Sequence, residues 1–253
     1  KSSSFTEHTV SSTGEVSKKG TKLKLEDLSG LEAGYFADLD QDGTMTGVAQ
    51  ETVTGTLVKG PLGKAVVGLD LDGDGIISES EPQAITNDDG SYSLATSNSD
   101  AVLIATTTEE TVDASSGELL PNVVLKAPAG ATVITPATTI LEATPDIQPA
   151  QLATALGLPS VGADGVAIDI TTFNPYAEGA DPAAALAAEQ AAQSVMVTIK
   201  AVAAAAEGAG LSEEVAFEQA LASVTEVVSE VARTVVIEPG PAEAGGDEDP
   251  VAP

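Results

Sequence analysis

The chain has 253 residues, enough for one large or two modest domains that each bury a core. Hydrophobic residues make up 42% of it and aromatic residues only 3%, with no Trp, so the core must be built from Val, Leu, Ile and Ala. With 39 acidic against 10 basic residues the net charge is −29, a field that repels nucleic acid and anionic lipid and leaves both as poor partners.

The same field attracts cations and suits a protein working outside the cell. There is no Cys, which excludes disulfides and thiolate–metal sites. No apolar run approaches the roughly 20 residues of a membrane helix, so no membrane span is expected.

Residues 1–51 are rich in Ser, Thr, Gly and Lys, and they hold Lys1, Lys18, Lys19, Lys22 and Lys24, five of the 10 basic residues. Thr21-Lys22-Leu23-Lys24-Leu25 alternates polar and apolar, which predicts a strand with one buried face, and residues 5–10 form a weaker candidate. A basic, β-forming arm on an acidic body is a candidate for self-association between copies.

Residues 52–134 read as β. Val53-Thr54-Gly55-Thr56-Leu57-Val58, Ala65-Val66-Val67-Gly68-Leu69, Ser91-Tyr92-Ser93-Leu94, Val102-Leu103-Ile104-Ala105 and Val123-Val124-Leu125 are short β-branched runs. Gly-Pro, Asp-Gly and Ser-Gly turns separate them, as in an antiparallel sandwich. Residues 135–237 change to the helical period. Thr135-Pro136 and Asp181-Pro182 each pair an N-cap residue with Pro at the first helical position. These predict helices after 135, over 149–156 and over 182–207, with a last helix capped by Ser212. Ala188, Ala192, Val195, Ile199, Val202 and Ala206 form the expected apolar stripe of the long helix. Phe217, Leu221, Val224, Val228, Val231 and Val235 form that of the last one, so an antiparallel helical pair is expected. Residues 238–253 are Pro-, Gly- and acid-rich, the composition of a linker or disordered tail.

The motif that carries chemistry is Asp70-Leu71-Asp72-Gly73-Asp74-Gly75-Ile76-Ile77-Ser78-Glu79-Ser80-Glu81. It fits the twelve-residue calcium loop: Asp70, Asp72 and Asp74 supply side-chain oxygens at positions one, three and five. Gly75 allows the sharp turn at six, Ile76 offers its carbonyl at seven, Ser78 ligates directly or through water, and Glu81 closes the sphere at twelve. A run reading as a strand precedes the loop and Pro82 follows it, so its expected work is to rigidify a β-module rather than to open a helical groove. A second candidate metal site, Asp38, Asp40, Asp42 and Thr44, repeats the first half but has Ala49 where a closing acid belongs; a plain turn is the competing reading. Asn87-Asp88-Asp89-Gly90 reads as a turn into a strand.

The stretch from Val58 to Leu94, an acidic loop followed by Thr86-Asn87-Asp88-Asp89-Gly90-Ser91-Tyr92-Ser93-Leu94, resembles the calcium-stabilised β-sandwich repeats of bacterial surface adhesins, including the Cna-B and serine–aspartate-repeat families. Ala127-Pro128-Ala129-Gly130-Ala131-Thr132-Val133-Ile134-Thr135-Pro136-Ala137-Thr138-Thr139-Ile140-Leu141 is similar to segments that follow such sandwiches in very large bacterial adhesins, and Asp169-Ile170-Thr171-Thr172-Phe173-Asn174-Pro175-Tyr176 continues the likeness. The resemblance implies an extracellular or cell-surface module. The chain lacks the nonapeptide repeats and any sorting motif, and the Lys and Asn of an internal isopeptide bond cannot be assigned.

Nothing in the sequence suggests catalysis. The single His, His8, lies in the polar arm, and Gly60-Pro61-Leu62-Gly63 lacks the Lys-Ser/Thr of a phosphate loop. The fold expected is α+β: an antiparallel immunoglobulin-like or prealbumin-like β-sandwich with a calcium loop, followed by a small helical domain. The function expected is structural, as a subunit of a filament or surface layer or a spacer of an adhesin. The alternative is a module that recognises a glycan or host protein.

Overall fold

The computed structural model describes residues 51–235 together with the short strands β1 (His8–Val10), β2 (Val16–Lys18), β3 (Thr21–Leu23), β4 (Phe36–Ala37) and β5 (Thr46–Gly47). It is α+β, with antiparallel sheets and four helices, an arrangement compatible with a β-sandwich plus helices. Two compact units divide the chain. One comprises Lys1–Val53 with Ala95–Ser99, the other Thr54–Leu94 with Asp100–Pro253, so the strands Glu51–Leu57 and Ser91–Thr96 are divided between the two and all four helices fall in the second.

In the first unit, β1, β2 and β3 form a three-stranded antiparallel sheet in that order, with His8 opposite Lys18 and Lys18 opposite Thr21. The alternating run at Thr21 thus pairs with the strand just before it. β4 and β5 form a separate hairpin-like pair.

From residue 51 onward the longer strands are ones that the sequence marks by short apolar runs. β6 (Glu51–Leu57), β8 (Val66–Asp70), β10 (Ser91–Thr96), β11 (Val102–Thr106) and β14 (Val124–Ala127) fall where these runs predict, to within two residues at their ends. Four shorter pieces join them before β14: β7 (Leu62–Gly63), β9 (Gln83–Ile85), β12 (Val112–Asp113) and β13 (Glu118–Leu119). β15 (Val133–Ile134) follows. One sheet runs β14-β11-β8-β9, with Ile104 of β11 opposite both Lys126 and Gly68; the others run β10-β6-β15 and β13-β12-β7. The pairing of β15 with β6 is parallel, Val133 beside Thr56 and Ile134 beside Leu57, which departs from a wholly antiparallel sandwich. A long connection between the two allows it. Leu57, Leu62, Leu69, Leu94, Leu103, Ile104, Leu125 and Ile134 are fully buried, an aliphatic core as the composition requires.

The helices are α1 (Pro136–Glu142), α2 (Pro149–Ala155), α3 (Pro182–Gly208) and α4 (Glu213–Thr234). Thr135 caps α1 reciprocally: its hydroxyl accepts from the Thr138 N–H, and the Thr138 hydroxyl accepts from its own N–H. Asp181 caps α3 through the Ala184 N–H, whereas Ser212 stands at the N-cap of α4 with no side-chain bond. α1 also covers the edge of the large sheet. The Lys126 N–H of β14 donates to Thr139 Oγ1, and the Thr138 hydroxyl donates to the Lys126 carbonyl, both at 2.9 Å.

The helical faces follow those expected in part: Ala192, Val195 and Ile199 of α3 and Val224 of α4 are buried. In α3 the buried residues are Ala184, Ala191, Ala192, Val195, Met196, Ile199 and Ala203, while Val202 is 39% exposed. In α4 they include Ala216, Ala220, Val224 and Ala232, and Val231 is 49% exposed. Two helices joined by the short 209–212 connection approach each other through small side chains, so Ala takes the contact line and larger residues are turned to its flanks.

Candidate metal centre

Asp70 is the last residue of β8, opposite Val102, and only 9% exposed. The sheet therefore fixes the first residue of the 70–81 loop. Gly73 and Gly75 follow with φ of +77° and +85°, a left-handed conformation that side chains resist. That backbone points its N–H groups inward. Asp70 Oδ1 accepts from Gly73 at 2.7 Å and Oδ2 from Gly75 at 3.0 Å. Asp72 Oδ1 accepts from the Asp74 N–H at 3.1 Å, and Asp74 Oδ1 from the Ile76 N–H at 2.9 Å. Each of these two bonds uses a single carboxylate oxygen.

The outcome is a cluster: carboxylate oxygens of Asp70, Asp72 and Asp74 all lie within 4.8 Å of one another. Three acids at that range repel unless a cation joins them. The donors are hard oxygens, so the cluster could hold a metal ion of the oxygen-seeking kind.

Glu81 is not part of that cluster. Its carboxylate stitches the two ends of the loop, Oε1 accepting from the Leu71 N–H at 2.7 Å and Oε2 from the Ser78 N–H at 2.8 Å. The Ser78 N–H, aided by that of Leu71 and opposed by burial, holds the Glu81 carboxyl below the usual carboxylate range. Ile76 leaves its side chain 66% exposed, and the Ser78 hydroxyl is shared with that of Ser80 at 2.9 Å. The structure thus gathers three of the six expected ligands, while Glu81, Ile76 and Ser78 belong to the same loop without joining the cluster. The second candidate site, Asp38, Asp40, Asp42 and Thr44, lies outside the described residues. Asp89 closes a turn instead: its Oδ1 accepts from the N–H and hydroxyl of Ser91 before Gly90 at φ +79°.

A second polar group escaped the sequence reading. Lys59 Nζ and Asp113 Oδ2 are 2.6 Å apart with side chains 16% and 2% exposed, and Asp113 Oδ1 accepts from the N–H and hydroxyl of Ser115. Beside this pair, Lys59, Tyr176 and Glu189 border a cavity lined by Leu158, Ile170 and Phe173. Burial and the Glu189 carboxylate push the Tyr176 phenol up to about 12. The cavity has about 30 Å³ for the centres of water-sized molecules, room for a water or two. No local signal announces this group, since Lys59 and Asp113 are separated by 54 positions.

No described helix is long and apolar enough to cross a membrane. Comparison of the chain with protein-family models, with curated proteins and with solved structures returns no match in any of the three.

Proposed function

We propose that the chain is a calcium-stabilised structural module of a bacterial cell surface, a subunit of an extracellular filament or surface layer or a spacer of an adhesin, without catalytic activity. The observation that carries this reading is the loop of residues 70–81, whose three aspartate carboxylates converge within 4.8 Å at the end of a buried strand. Calcium takes six to eight oxygens in flexible geometry, and Glu81, the Ile76 carbonyl and Ser78 are the further donors within the loop. An ion there would tie β8 to β9 through the connection between them, which serves rigidity. The unit around it would be an immunoglobulin-like or prealbumin-like sandwich.

Assembly would run through the amino-terminal arm. β3 is an edge strand of its small sheet, and an edge strand is a template for another chain. Lys18 and Lys22 on β2 and β3 would meet a strongly acidic neighbour and offset part of its repulsion. Electron microscopy and sedimentation of the whole chain, with millimolar calcium and with chelator, test the reading. Calcium-dependent filaments or sheets that vanish when residues 1–25 are deleted, with the remaining fold intact, are expected. A chain that stays monomeric with calcium and associates only with an added glycan or host protein would be a recognition module instead.

A further inference from the structure

Lys126 stands at the flank of the aspartate loop although it lies far from it in sequence. Its backbone is held on both sides, by Ile104 of β11 in register and by the hydroxyls of Thr138 and Thr139 in α1. A backbone so fixed aims the side chain reproducibly. Its ammonium nitrogen lies 3.1 Å from the point that a β-carbon on Gly75 would occupy. Gly75 is the residue whose N–H holds Asp70 Oδ2. Glu142, the last residue of α1, is half-buried. Burial and the Asp70 carboxylate push the Glu142 carboxyl up while Lys126 draws it down, so the three charges are within range of one another. Lys126 makes no contact ion pair with Asp70 or Glu142, and its flexible four-carbon stem can carry the charge toward either.

We propose that Lys126 is the internal counter-cation of the 70–81 loop: it offsets the repulsion among Asp70, Asp72 and Asp74 when no metal is present and competes with a divalent ion for their field. The competition half rests on the calcium reading above. Lys126 therefore sets how much calcium the loop needs.

The test uses the whole chain with Lys126→Met, which keeps the stem and removes the charge, and Lys126→Arg, which keeps the charge. Calcium is titrated by calorimetry, and melting of the chelated protein is followed at low salt. Where calcium binds, the affinity decides: Lys126→Met should bind at least about fivefold tighter than the unaltered chain and Lys126→Arg within twofold of it. An unchanged affinity for Lys126→Met, or equal gains for both variants, overturns the proposal. If no variant shows calcium heat, the calcium reading fails and melting decides. Chelated Lys126→Met should then melt about 2–4 °C below Lys126→Arg, with the gap closing in 1 M NaCl; no gap overturns the counter-cation role as well.

Discussion

Ile77 lies directly over Gly68: its Cγ2 is 2.7 Å, and its Cγ1 3.0 Å, from the position a β-carbon on Gly68 would take. Gly68 sits inside β8, where a glycine weakens a strand, and the contact is its compensation. The loop is anchored to the sheet by this apolar plug, independently of any metal. Gly68→Ala should therefore destabilise the protein by about 1–3 kcal/mol through overpacking, the Pro82 carbonyl at 3.1 Å adding to the crowding. Adding Ile77→Ala should recover part of the loss. Melting of the two single variants and the double variant checks this; simple additivity would show that Ile77 is not what Gly68 accommodates.

Calcium should bind the loop with a dissociation constant of roughly 0.1–1 mM, the range of extracellular modules. At a hundredfold excess over that constant it should stabilise the fold by about 2.7 kcal/mol. Asp72→Ala is the clean probe, because Asp72 is exposed and gives only one oxygen to a backbone N–H. It should abolish the calcium increment and leave the chelated protein nearly unchanged or slightly more stable, since one of three repelling charges is gone. Glu81→Ala should cost stability even in chelator, because Leu71 and Ser78 lose their acceptor. Calorimetry of metal-stripped protein and melting with and without calcium read all four outcomes. Equal losses for Asp72→Ala in both conditions would give Asp72 another role.

The Lys59–Asp113 pair fixes an acid limit. Burial pushes the Asp113 carboxyl up, but the Lys59 ammonium and the Ser115 hydroxyl and N–H outweigh it and hold the group below its ordinary 3.8. A folded value below the unfolded one means that the pair stabilises fully above pH 3.8 and is lost as pH falls through the depressed value. Asp113→Ala should cost about 3 kcal/mol at pH 7, for it strands a mostly buried ammonium. Lys59→Met combined with Asp113→Leu should recover much of that. Melting between pH 2 and 7 should show a shallower acid slope for the double variant; an unchanged slope would place the acid limit elsewhere.

What the sequence made legible was local. β6, β8 and β11 announced themselves by β-branched runs, β10 by a short run after an Asp-Gly turn, and α1 and α3 by an N-cap followed by Pro, because those signals reside in a few consecutive residues. β7, β9, β12, β13 and β15 are two or three residues long and owe their form to partners such as Gly63 opposite Val112. The helical faces were legible only in part, Val195 and Ile199 being buried as expected, because hydropathy also favours Val202 and Val231 where close packing selects Ala203 and Ala220. The aspartate cluster was legible for the same local reason: the Asp-x-Asp-x-Asp spacing is itself the geometry. Lys126 and Lys59 could not be read, since only tertiary folding brings Lys126 beside Gly75 and Lys59 onto Asp113.

Tyr92 gives the last prediction. The residue is 3% exposed on β10, and its hydroxyl is buried with no hydrogen-bond partner. Burial of that kind pushes the phenol well above its ordinary value, so it stays a neutral O–H at any pH the fold survives. The ring lies against β6 at Gly55, where a β-carbon would stand 2.4 Å from the hydroxyl oxygen and 2.5 Å from the Thr132 carbonyl. Gly55 thus makes the room the phenol occupies, and the two residues should respond oppositely to substitution. Tyr92→Phe removes an unsatisfied polar atom and keeps the ring, so it should be neutral or stabilise by about 1 kcal/mol. Gly55→Ala should destabilise by more than that, because both the ring and the Thr132 carbonyl must retreat. Gly55→Ala on the Tyr92→Phe background should cost less, since the oxygen at 2.4 Å is gone while the carbonyl remains. Denaturant melts of the four proteins in the cycle measure this. A loss of 1 kcal/mol or more on Tyr92→Phe alone would mean that the hydroxyl has a partner in solution, such as a buried water bridging it to Thr132.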